Sequence, residues 1–115
     1  IYVEDVLSTI EKCLSNKVKG IFNLGTSKNR TFNDLALACI NAFNKINGIN
    51  DKTTLSEAIQ DERIKYIEFP VDLEGKYQSY TKANMDKLLN NAIDTPSISI
   101  EDGILSYYRE MKSFF

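Results

Sequence analysis

The sequence predicts an α/β architecture of about four helices with short strands between them. Three patterns carry that expectation. Apolar residues recur at steps of three and four in several stretches. Ile21-Phe-Asn-Leu24 is a compact apolar run ending at Gly25, the pattern of a strand buried on both faces. Ile64-Lys-Tyr-Ile-Glu-Phe69 alternates apolar and polar side chains before Pro70, as a half-buried strand does.

Taken in order, Ile1-Tyr-Val reads as a short strand leading into a helix. Glu4 and Asp5 sit where carboxylates favour a helix N-terminus, and Val6, Ile10, Cys13 and Leu14 follow helical spacing to about Asn16. Lys19-Gly20 breaks this helix ahead of the Ile21 strand. Thr31-Phe-Asn-Asp34 is a capping box with Asp in place of Glu, opening a helix striped by Phe32, Leu35, Ala36, Cys39, Ala42, Phe43 and Ile46. The asparagine-rich stretch near 47–62 contains a second box, Thr54-Leu-Ser-Glu57, and predicts one or two helical turns. After the Ile64 strand, Thr81 is placed to cap a helix with Met85, Leu88, Leu89 and Ala92 on one face; Asn91 is placed for the left-handed turn that ends it. Ser99-Ile-Glu-Asp102 caps the last helix, striped by Ile100, Ile104, Tyr108, Met111 and Phe115.

Composition narrows the function classes. A chain of 115 residues fits one small domain, residues 1–115, and its 43% hydrophobic content is that of a folded protein. Fourteen basic residues scattered among 16 acidic ones give a net charge of −2, which argues against a nucleic-acid surface. No apolar run approaches the roughly 18 residues a membrane span needs, and no signal peptide is visible, so a cytoplasmic setting is expected. Cys13 and Cys39 fall on apolar faces and read as buried free thiols. Two cysteines without histidine cannot make a four-ligand zinc site.

The chemically richest stretch is Leu73-Glu-Gly-Lys-Tyr-Gln-Ser-Tyr-Thr-Lys-Ala-Asn-Met-Asp-Lys-Leu88. It gathers a glycine turn, two tyrosines, a glutamine and lysines ahead of an expected helix start, a combination suited to a polar, anionic ligand. Its Gly75-Lys-Tyr-Gln-Ser-Tyr-Thr-Lys-Ala-Asn84 segment resembles the Gly-Arg/Lys-Tyr-Gln-x-x-Thr-x-Ala-Asp/Asn segment of the ADP-L-glycero-D-manno-heptose 6-epimerases, members of the extended short-chain dehydrogenase/reductase family. Tyr2-Val-Glu-Asp-Val6, Gly20-Ile-Phe-Asn-Leu-Gly-Thr26 and Pro96 with Asp102-Gly103 fall in that family's order. The likeness covers most of the chain outside roughly 45–63. Ser27 stands where the family has the second glycine of its turn.

The resemblance implies the C-terminal, substrate-binding portion of such an enzyme, lacking its Rossmann half. That half would hold NADP or NAD and be this chain's partner, with an ADP-sugar as substrate and a homo-oligomeric parent. The five glycines here never take the spacing of a dinucleotide-binding turn. The family's Tyr-x-x-x-Lys pair belongs to that other half; Tyr108-Arg-Glu-Met-Lys112 has the spacing by chance, with Tyr108 on a core stripe. No catalytic residue is therefore expected here, and no cofactor-binding or metal-ligating one. Tyr77 matches the family's substrate-contacting tyrosine; Lys76, Gln78 and Thr81 are further candidates, Lys76 offering a point charge where relatives often have arginine. The same portion of another sugar-nucleotide epimerase or dehydratase, or a stand-alone binding module, are the alternatives.

Overall fold

The computed structural model describes residues 1–113, and its regular elements are helical: α1 (Val3–Ser15), α2 (Phe32–Ile46), α3 (Leu55–Gln60), α4 (Asp86–Leu89) and α5 (Ile100–Lys112), with a 3-10 turn at Val71–Leu73. The expected α/β architecture is corrected on this point. There is no strand and no sheet among the described residues.

Each missing strand has a local account. Tyr2 is already the N-cap of α1, so Ile1-Tyr-Val has no room to be a strand. Ile21–Leu24 makes no backbone ladder; the Ile21 carbonyl instead accepts from Lys87 Nζ at 2.6 Å, and that ammonium lies 4.7 Å from the centre of the Phe22 ring. In 64–69 the Ile64 amide donates back to the Ala58 carbonyl at 2.9 Å, and among the described residues no backbone bond pairs the rest with another segment. Apolar pattern alone does not make a strand, because the backbone groups need a partner to pair with.

The helix starts follow local chemistry more closely. Thr31 and Thr54 each accept from the amide three residues on, and Asp34 and Glu57 each accept from the cap residue's own amide. Ser99 caps α5 by accepting from Asp102 N at 3.0 Å. Thr81 caps nothing. α4 begins five residues later, after Asn84 Oδ1 accepts from the Asp86 amide at 2.8 Å, a side-chain turn that sets its own helix start. Ala92, with φ of 59°, takes the left-handed position expected of Asn91, whose side-chain amide donates to the Lys87 carbonyl.

The apolar core is small. Met85, Leu88 and Ile93 form its buried centre, with Cys13, Val18, Phe22, Leu24 and Ala83 packed against it. Gly25 passes so close that a Cβ there would sit 2.7 Å from the Ala83 Cβ, and its amide points at Met85 Sδ. Ser27, at φ 54°, takes a left-handed turn and donates its hydroxyl to the Ala83 carbonyl. A second packing zone joins α2 to α5, where Phe43 and Tyr108 meet edge-on with ring centres 6.2 Å apart. α3 and the 47–63 stretch are bound to α2 by polar contacts. Asn41 exchanges two hydrogen bonds with the Thr53 backbone, while Asn44 and Arg63 both donate to Thr53 Oγ1.

Expected core stripes turn outward in several places. On α1 the buried positions are Asp5 and Thr9, while Val3, Leu7, Ile10 and Leu14 are exposed. Phe32, Leu35 and Phe43 of α2 are exposed and Ala38, Ala42 and Asn44 are buried. Cys39 is exposed and Cys13 half-buried, and both are free thiols. Met111 is exposed; Phe115 lies outside the described residues. The radius of gyration is 17.6 Å, against about 13 Å for a compact domain of this length. The chain spreads around two small packing zones instead of closing on one.

Candidate substrate loop

The loop carrying the candidate residues is built from short-range contacts. Pro70 ends the extended stretch, and the chain then turns through Val71–Leu73. Backbone bonds from Leu73 N to the Pro70 carbonyl, Glu74 N to the Val71 carbonyl and Lys76 N to the Leu73 carbonyl hold that reversal. Gly75 takes φ of +69°, a conformation that side-chain-bearing residues rarely adopt, and nothing crowds its Cα. Beyond the turn, Phe69 and Tyr77 meet edge-on, ring centres 5.5 Å apart and planes at 69°. That geometry sets the positive edge of one ring against the negative face of the other.

Lys76, Tyr77 and Gln78 are therefore consecutive on one exposed loop, with Tyr80 and Thr81 following on exposed backbone. Tyr77 is 48% exposed. No side chain from Lys76 to Thr81 forms a hydrogen bond or ion pair among the described residues. The helix N-terminus expected beside the tyrosines is not there, because α4 starts at Asp86 and has only four residues. The donors and acceptors of the loop face water.

Two grooves lie elsewhere. One, of about 770 Å³, runs between α2, residues 49–54 and the start of α5; Arg30, Asp34 and Glu101 meet along it. Arg30 pairs with Glu101 and Asp34, and the bond to Glu101 raises the guanidinium above its ordinary value. Glu101 is held below the usual carboxylate range by that same bond; Asp34 is held low chiefly by the Thr31 amide and hydroxyl. The other groove, of about 630 Å³, is lined by Tyr2, Lys28, Pro96, Ile100, Gly103 and Tyr107 among others. None of the four candidate residues lines either groove.

Asp5 has a different task from the one its position suggested. Its buried carboxylate accepts from the amides of Ser97 and Ile98 at 3.3 and 3.0 Å, pinning the segment that enters α5. Sequence reasoning also passed over Phe69 as a partner for Tyr77. The available signal was an aromatic residue just before Pro70, with a glycine turn between it and the tyrosine.

No described helix follows a strand and glycine-rich turn, which is the construction that receives a pyrophosphate. Among the described residues no group of three or more His, Cys, Asp or Glu side chains is placed to hold a metal ion. No known protein-family model matches the chain.

Proposed function

We propose that this chain is the substrate-binding part of an epimerase that converts ADP-D-glycero-D-manno-heptose to ADP-L-glycero-D-manno-heptose. In this reading a separate nucleotide-binding half carries NAD(P) and supplies the transient oxidation. The residues here hold and orient the ADP-sugar. A cytoplasmic setting and a homo-oligomeric parent belong to the same reading.

The observation that carries it is the state of the Gly75–Asn84 segment, on which the family resemblance is strongest. Its turn is closed by local bonds and the Tyr77 ring is braced, while the polar side chains from Lys76 to Thr81 have no hydrogen-bond partner among the described residues. A tyrosine, a glutamine and a lysine stand side by side there with their polar ends available to a ligand. Tyr77 can donate its hydroxyl to a sugar or phosphate oxygen, and Lys76 can approach a diphosphate as a point charge. The outward apolar faces of α1 and α2 add support, since they leave surface for the nucleotide-binding half to cover.

Steady-state assay of the enzyme carrying this chain, with ADP-D-glycero-D-manno-heptose and product identified by NMR, tests the reading. Tyr77→Phe keeps the ring and removes one hydrogen bond, so kcat/KM should fall by roughly five- to tenfold, or more with a charged partner. Tyr80→Phe is the control and should change little. Turnover of UDP- or GDP-sugars in place of the ADP-heptose would move the assignment to another sugar-nucleotide enzyme. Unchanged kinetics in Tyr77→Phe would remove it.

A further inference from the structure

We propose that Phe69 is the positioning residue of the substrate loop: its ring sets the direction in which Tyr77 presents its hydroxyl. This deepens, and rests on, the reading of Tyr77 as a substrate contact. Three observations lead to it. The loop backbone from Pro70 to Lys76 is held only by bonds spanning three residues, which shape the reversal but do not orient the residues after it. Every residue from Lys65 to Lys82 is exposed, so no core packs against Tyr77 from below. The edge-on contact with Phe69, 5.5 Å between ring centres, is the one aromatic pairing that either residue makes among the described residues.

The chemistry of that contact suits orientation more than stability. Both residues are 48% exposed, so their pairing is a surface contact and not part of a closed core. An edge-to-face pair nevertheless has a preferred angle, because the rings carry quadrupoles. Pro70, directly after Phe69, has a fixed φ of −60° and limits the swing of the segment that bears the Phe69 ring. Gly75 turns the chain back toward it. The result is a contact that holds the Tyr77 ring, and through the ring limits where its hydroxyl can be offered. Without it, Tyr77 would sample its staggered rotamers as a surface side chain does, and only a fraction of molecules would be ready for substrate.

The test is a double-mutant cycle in the enzyme carrying this chain, assayed with ADP-D-glycero-D-manno-heptose. Phe69→Leu should lower kcat/KM by about two- to tenfold, the range of one lost aromatic pairing. Phe69→Tyr, which keeps the ring edge, should restore most of it. In the Tyr77→Phe background, Phe69→Leu should cost little more, because the hydroxyl it aims is gone. The Tyr77 ring resonances should also shift in Phe69→Leu while helical circular dichroism stays unchanged. Losses that multiply independently in the double variant would overturn the proposal. So would a Phe69→Leu enzyme with full activity when Tyr77→Phe has lost it. If Tyr77→Phe itself is fully active, the substrate reading fails first and the purpose assigned to Phe69 goes with it.

Discussion

Two regions of this molecule are built by opposite means. Around Met85, Leu88 and Ile93, segments far apart in sequence converge: α1, the 18–25 stretch, α4 and the segment after it. Beside them Asp5 of α1 binds the 97–98 backbone, and Lys12 pairs with Asp94 at 3.1 Å. In 64–82, by contrast, the contacts are local. Beyond Ile64, turns of three residues and one ring pair give the loop its form, and the residues from Lys65 to Lys82 are exposed. The first region fixes chain segments relative to one another. The second presents polar groups and is free to be chosen for what it touches. Positions in the first should therefore control stability, and positions in the second recognition.

The largest separation is expected between two isoleucines. Ile93 is 0% exposed and Ile67 is 82% exposed. Ile93→Ala should cost about 2–5 kcal/mol, enough to threaten the fold of so small a core. Ile67→Ala should stay within about 0.5 kcal/mol. Thermal melts followed by helical circular dichroism measure both; similar losses would erase the distinction between the regions.

Asp5→Ala comes next, at about 1–3 kcal/mol, because it leaves the Ser97 and Ile98 amides without their acceptor. Hydrogen exchange at those two amides should speed up in the variant. Unchanged exchange would mean that the carboxylate is not what holds the segment.

Smaller still are the caps. Thr54→Ala should cost about 1 kcal/mol, felt mainly in α3. Glu57 is held below its ordinary value by the Thr54 amide and hydroxyl, as Asp34 is by those of Thr31, and Glu101 by Arg30. A carboxyl whose folded value is depressed contributes stability fully above its unfolded value, and loses that contribution as pH falls through the folded one. Melting temperature should thus be flat near neutrality and decline through and below the ordinary carboxylate range. The decline should be shallower in Thr54→Ala, where Glu57 has lost one of its partners. Glu57 and Glu101 are exposed and Asp34 is half-buried, so solvent screening keeps the effect modest.

What could be read from the sequence follows the same division. The caps at Thr31, Thr54 and Ser99 were legible because donor and acceptor lie three residues apart. The strands were not, because a strand is completed by a neighbour, and 21–24 and 64–69 have none in the described structure. The stripes of α1 and α2 were legible as apolar, but which side would be covered depends on partners that periodicity cannot name. Thr81 misled for a local reason: Asn84, three residues on, competes for the helix start and wins with a shorter turn. Asp5 could not have been placed, since the amides it serves lie at the far end of the chain. The exposed character of Lys76, Tyr77 and Gln78 was readable from the glycine turn; the bracing by Phe69 was not.

The bond from Asp5 to the 97–98 backbone has a consequence for how the protein is made. The two ends of that contact are 92 and 93 residues apart, and the Arg30–Glu101 pair spans 71. During synthesis α1 leaves the ribosome long before its partners exist. Its own backbone can coil at once, but its carboxylate cannot find the amides it will hold until nearly all of this stretch has been translated. Contacts of such long separation carry a large loop-closure cost before they return any stability. Until the 97–101 segment has emerged, then, Asp5 of α1 and Arg30 ahead of α2 stay without the distant partners that hold them in the folded chain.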